Sequence, residues 1–145
     1  MELKNKKITT RLMGYSVDKL SFILNKSFDV RQYAKIQITP KFDREVTKIN
    51  ENTFLMSLSV SIDDNENKIP FFMDIQISGK FEFTEWENAK LNMLAIGNAT
   101  SVLYPYLRAL VTTISSNANV PPYILPIMNI NHLFKKKNQN DSKNN

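Results

Sequence analysis

Residues 97–134 read GNATSVLYPYLRALVTTISSNANVPPYILPIMNINHLF, and between Lys90 and Lys135 the single full charge is Arg108. Val102, Leu103, Tyr106, Leu107, Ala109, Leu110, Val111 and Ile114 project in nearly every direction around a helix of about 3.6 residues per turn. A helix that is apolar all round must be covered on opposite sides. A chain of 145 residues fits one domain with one core. It covers one side of this helix and leaves the other to a partner. Val102, Leu103, Tyr106, Leu107, Leu110 and Ile114 are therefore expected at an interface between copies of the chain.

Upstream the period changes to two. Phe54, Met56, Leu58, Val60 and Ile62 alternate with Leu55, Ser57, Ser59 and Ser61. Phe71, Met73, Ile75, Ile77, Phe81 and Phe83 alternate mostly with polar residues. Alternation of this kind marks strands with one buried and one wet face, and DDNENK between the two runs supplies a turn. Ile36, Ile38, Phe42 and Val46 predict a further strand, with Pro40 on an edge or at a bulge because proline lacks the ladder donor. A first strand is expected over about Ile8 to Leu24, with a break near Gly14. The connection from Asn25 to Lys35 is unusually apolar, with Phe28, Val30 and Tyr33.

Helical material is expected from Thr84, a suitable N-cap followed by Glu85 and Glu87. The first piece should end near Gly97–Asn98, and a long helix should then run from about Ala99 to Asn117. Pro105 predicts either a kink in it or its true start. Four antiparallel strands followed by a long helix make an α+β domain. Four strands about 4.8 Å apart and about ten residues long present a face of about 19 by 33 Å. One such helix, about 28 Å long and about 10 Å wide, covers about half of it. Self-association or an uncovered groove follows.

Composition narrows the function. The net charge is +5, with lysines clustered at Lys4, Lys6 and Lys7 and at Lys135 to Lys137. Residues 1–134 are read as the domain and residues 135–145, KKKNQNDSKNN, as a disordered polar tail. No cysteine is present, which excludes disulfides and thiolate metal sites. MELKNKKITT lacks an apolar signal core. The uncharged run from Ala109 to His132 is broken by Asn117, Asn119, Pro121, Pro122 and Pro126, which argues against a membrane span. A soluble cytoplasmic protein is expected. His132 is the lone histidine, no glycine-rich phosphate loop exists among three glycines, and Asp63-Asp64-Asn65-Glu66 lacks a calcium-loop frame. No metal, cofactor or enzymatic activity is expected.

The Asn98, Tyr104-Pro105-Tyr106, Arg108, Pro121-Pro122 and Leu125-Pro126 frame, continuing through Asn129, Ile130, Leu133 and Phe134, resembles the C-terminal half of the SecB protein-export chaperones. FFMDIQISGKFEF, with Gly79 and Phe81, resembles the family's fourth strand, and YSVDKLSF part of its first. The resemblance implies a four-stranded antiparallel sheet, a long helix at a tetramer interface (a dimer of dimers) and a short C-terminal helix. It implies a holdase that binds unfolded polypeptides without ATP and hands them to the SecA motor. Asp18 and Asp74 would be docking acids for that motor, but Ile23 stands where a further acid is expected, and the tail is basic. SecB-like proteins also serve toxin–antitoxin pairs by holding the antitoxin, a role that needs the groove without the docking acids.

Phe28, Tyr33, Trp86, Ile124, Leu125, Ile130, Leu133 and Phe134 are the candidates for lining a client groove. Methionines such as Met13, Met56, Met73, Met93 and Met128 supply adaptable contacts. A competing reading, a module for nucleic acid or another acidic partner, rests on the charge and on Lys41, Lys48, Lys68 and Lys80. It predicts affinity that falls steeply with salt, and the strands lack interleaved outward aromatics and arginines for stacking RNA bases.

Overall fold

The computed structural model describes residues 10–63, 68–83 and 89–134. β1 (Thr10–Leu24), β2 (Lys41–Asn50), β3 (Thr53–Ile62) and β4 (Phe71–Phe83) form one antiparallel sheet in the order β1-β4-β3-β2. Three successive strands lie side by side, and β1 pairs with the last of them, a Greek-key order. α1 (Ala89–Asn117) packs on β4, β3 and β1, and a short helix at residues 131–134 ends the described chain. This is the α+β architecture expected from the alternation.

The core forms where the two periodicities meet. On β3 and β4 the alternating residues Phe54, Met56, Leu58, Val60, Ile62, Phe71, Met73, Ile75, Ile77, Phe81 and Phe83 are all buried. Ala95, Ala99, Leu103, Leu107 and Val111 recur every four residues and turn one stripe of α1 onto them. Phe54 stacks on Phe81, with ring centroids 5.4 Å apart, in the same cross-strand pair that the register dictates.

Two expectations need correction and a third gains detail. The helix does not break at Gly97–Asn98 or begin at Pro105 but runs unbroken from Ala89 to Asn117. A glycine inside a helix costs about 1 kcal/mol, and here a long buried stripe on both sides of it offsets that. Gly97 instead faces Asn131, whose Nδ2 donates to its carbonyl at 3.1 Å. Second, β2 starts at Lys41, immediately after Pro40, and extends to Asn50. Pro40 thus precedes the ladder, where its missing N–H costs nothing. Third, the apolar connection holds a 3₁₀ helix, Val30–Lys35, whose N-cap Asp29 accepts from the Arg31 amide. Phe28 and Tyr33 pack ring to ring at 5.3 Å across it. Thr84, Glu85, Trp86 and Glu87, and the lysines at both termini, lie outside the described residues.

Cover over the sheet is unequal. The helix-side residues of β1 (Tyr15, Val17, Leu20 and Leu24) pair with Gly79, Ile77, Ile75 and Phe71, yet remain between 39% and 49% exposed. On the opposite flank, Phe42 and Val46 of β2 pack against the core.

Gly79 lies where sheet and helix approach closely. A Cβ there would meet Phe81 Cε2 at 2.8 Å, Leu103 Cδ2 at 2.9 Å and Leu12 Cδ1 at 3.0 Å. Gly79→Ala is expected to lose about 1–3 kcal/mol by overpacking. Gly14→Ala, with nothing within 4 Å of the added methyl, should be neutral or slightly stabilising. Urea denaturation of the two variants side by side checks the contrast.

Candidate functional site

α1 ends where Asn119 adopts a left-handed backbone, φ 57°, a conformation that asparagine tolerates at a helix C-terminus. The chain then doubles back along the helix. Ser115 Oγ accepts from the Tyr123 amide at 2.9 Å, Arg108 Nε donates to the Leu125 carbonyl at 2.8 Å, and Tyr104 Oη donates to the Pro126 carbonyl at 2.6 Å. Asn131 Nδ2 reaches the Gly97 carbonyl at 3.1 Å and Ser101 Oγ at 3.3 Å. Positions 97, 101, 104, 108 and 115 fall along one side of α1. The side chains at 104, 108 and 115 satisfy the backbone of a segment that has no secondary structure to satisfy it, and Asn131 reaches back to positions 97 and 101.

A returning segment held by side chains rather than packed directly on the helix leaves space beside it. A hollow of about 650 Å³ opens there, with Pro105, Arg108, Ala109, Thr113, Ile124 and Ile127 among its walls. Its rim is apolar and bare: Ile124 is 54% exposed and Ile127 is 87% exposed. Burial pushes the Tyr104 phenol above its usual range, partly countered by Arg108, and burial likewise raises Tyr123. Tyr104 is therefore a neutral donor at physiological pH.

The short terminal helix is tied to β2 and α1 by Arg44. Its Nη1 donates to Thr100 Oγ1 at 3.0 Å and to Asn131 Oδ1 at 3.3 Å, and the guanidinium lies 4.3 Å from the centre of the Phe134 ring. Burial lowers its pKa, but an arginine starts so high that the charge is retained. A second, smaller hollow of about 330 Å³ lies beside the 3₁₀ helix, lined by Ser27, Phe28, Asp29, Gln32, Lys35, Ile36 and Lys68.

The groove candidates from the sequence divide three ways. Ile124 and Ile130 line the larger hollow and Phe28 the smaller, with Tyr33 packed on Phe28. Leu125, Ile130 and Phe134 are buried in the core, while Leu133 is exposed; Trp86 lies outside the described residues. Ile127 and Arg108 were not among the candidates. Nothing in an uncharged run says which of its side chains turn outward.

The helix candidates also split. Leu103 and Leu107 face the sheet and are buried, Leu110 and Ile114 are half-buried, and Val102 and Tyr106 are exposed. Tyr106 meets Tyr15 of β1 at 4.9 Å between ring centroids, so the bare side of the helix and the bare flank of β1 form one surface. Asp74 accepts from Lys19 Nζ at 2.6 Å, and Asp18 from the hydroxyls of Ser16 and Ser78. Both acids are engaged within the chain. Among the described residues, no group of histidine and carboxylate side chains is arranged to hold a metal. No described helix is long and apolar enough to cross a membrane.

The family model for the preprotein translocase subunit SecB matches residues 4–141. An uncharacterised protein of Methanocaldococcus jannaschii is 31% identical over 128 residues, covering 86% of this chain and 81% of that protein. The protein-export protein SecB of Aromatoleum aromaticum is 22% identical over 130 residues, covering 83% and 81%. Among solved structures, a SecB-like chaperone of Mycobacterium tuberculosis, in complex with a peptide from an antitoxin, superposes with a TM-score of 0.60. That match has 15% identity and covers 82% of this chain and 90% of the other.

The stitching is testable by substitution. Tyr104→Phe should lose about 0.5–1.5 kcal/mol, the usual net value of a neutral hydrogen bond, and Arg108→Met about 1.5–3 kcal/mol for a charge-assisted one. Hydrogen exchange should quicken over residues 120–130 before it does in β3 and β4.

Proposed function

This chain belongs to the SecB family, and on that footing we propose that it is a cytoplasmic, ATP-independent holdase for unfolded or aggregation-prone polypeptides. One observation carries the reading: the hollow beside α1, whose bare apolar rim is fixed in place by Arg108 and Tyr104. Unfolded chains expose apolar side chains and carry no shared sequence code. A rim of Ile124, Ile127 and Met128 supplies adaptable apolar contact without a code. Binding the unfolded state draws its equilibrium toward the complex without any fuel. The neighbouring fold in the SecB-like chaperone, which holds an antitoxin peptide, supports a polypeptide as the occupant. No catalytic step is needed.

We further propose that the working form is a tetramer, a dimer of dimers. The continuous surface of Tyr15, Val17, Leu20, Val102 and Tyr106 is the kind of apolar patch that marks an association site. Several grooves on one assembly then act together through effective concentration, so that weak single contacts give useful holding.

A dedicated role with one antitoxin-like partner is the second reading, and the state of the two acids favours it. Asp74 is paired with Lys19, and Asp18 is occupied by two serines. A motor such as SecA would have to displace these partners in order to dock.

Two measurements test the proposal. Purified protein should slow the aggregation of a chemically unfolded client in the absence of ATP, and Ile127→Asp should weaken that effect severalfold while leaving the fold intact, because the side chain is at the surface. Unchanged aggregation with the wild-type protein rejects the holdase. Sedimentation should give a mass of four chains, with Tyr106→Glu shifting it to smaller species; a monomer at high concentration rejects the assembly.

A further inference from the structure

We infer that this chaperone prefers client segments in which carboxylates stand beside apolar or aromatic side chains; the inference rests on the holdase reading above. Its basis is the charge at the two hollows. Arg108 stands in the larger and Lys35 in the smaller, and the one acid among the lining residues is Asp29. That acid is already engaged. Asp29 accepts from the Arg31 amide at 3.0 Å and from Arg31 Nε at 3.1 Å, and pairs with Nη2 at 2.9 Å. These bonds hold its carboxyl below the usual range, so it offers a client little acceptor capacity.

Arg108 is the more telling case. It is the lone charge between Lys90 and Lys135, and its Nε is spent on the Leu125 carbonyl. Among the described residues its two terminal nitrogens make no hydrogen bond, while the side chain lines the groove between Pro105 and Ile127. A guanidinium fixed through Nε presents its remaining N–H groups in a plane, a geometry that matches a carboxylate. Apolar contact lies to either side. A Glu or Asp one or two positions from a Leu, Phe or Tyr would meet both.

Lys35 extends the same preference to the smaller hollow. It ends the 3₁₀ helix beside Phe28 and Ile36 and forms no ion pair among the described residues. The net charge of +5 adds a longer-range attraction for acidic chains and a penalty for basic ones.

Two labelled peptides of identical apolar and aromatic sequence, one with glutamates as spacers and one with lysines, test this by fluorescence anisotropy against the full chain. The glutamate peptide should bind about tenfold tighter at low salt, the sum of a few partly exposed pairs, with the gap narrowing as salt screens it. Lys35→Glu should reduce the gap by about threefold, and Lys35→Glu with Arg108→Gln should abolish it, with circular dichroism verifying the fold. Equal or tighter binding of the lysine peptide, or a gap that survives Lys35→Glu undiminished, overturns the inference while leaving the holdase standing. If neither peptide binds, the holdase reading falls and the inference with it.

Discussion

A helix about 10 Å wide lying on a four-stranded sheet about 19 Å across cannot cover it, and the rest of this molecule follows from that mismatch. α1 takes the middle of the sheet, where β3 and β4 supply the deepest core. Two flanks remain, and the chain treats them differently. Over β2 it returns its own C-terminal segment, so that Arg44 lies against Phe134, while Phe42 meets the Tyr104 ring of α1 at 6.0 Å. Over β1 nothing described returns, and Tyr15, Val17, Leu20 and Leu24 stay half in water. One flank is closed by the chain itself and the other is left bare among the described residues. The two flanks are opposite edges of the sheet, so the proposed groove and the proposed association surface would not obstruct each other.

The groove has its own physical origin. Leu125 and Ile130 anchor the returning segment in the core, while Arg108, Tyr104 and Ser115 hold its backbone by hydrogen bonds. Ile124 and Ile127, on either side of the buried Leu125, are turned outward. Bare isoleucines on a mobile loop would collapse onto the nearest apolar surface. Here the backbone is tied, so the rim stays open; among the described residues every buried side-chain nitrogen and oxygen is paired except Thr10 Oγ1.

How far the sequence alone reached depends on the range of each interaction. β3 and β4 were legible because alternation is a local signal and both strands are buried on one face only. The helix was legible as a helix, but not as one piece. Gly97 and Pro105 are punctuation by propensity, and packing of the buried stripe from Ala95 to Val111 overrides them. Of the six helix residues assigned to an interface, the structure turns Leu103 and Leu107 to the sheet and leaves Val102 and Tyr106 bare. Sequence supplied the apolar set, but phase relative to the sheet is a property of docking. The same limit applies to the groove. Leu125, Ile127 and Ile130 look alike in a run without charges, and only Arg108 and Tyr104, acting across 17 and 22 residues, decide which of them faces water.

Covering the β1 flank would affect stability as well as assembly. Fully burying an aliphatic or aromatic side chain contributes about 1.5–3 kcal/mol, so completing the burial of a half-exposed one contributes about half of that. Tyr15, Val17, Leu20, Leu24, Val102 and Tyr106 would together gain several kcal/mol per protomer, before the cost of association is subtracted. A domain of this size is stable by only about 5–15 kcal/mol, so the gain is comparable to the whole. Folding and association are then linked by mass action. The apolar surface left bare on one copy is, in the proposed assembly, the surface that holds the grooves together, and it traces back to a sheet wider than its helix.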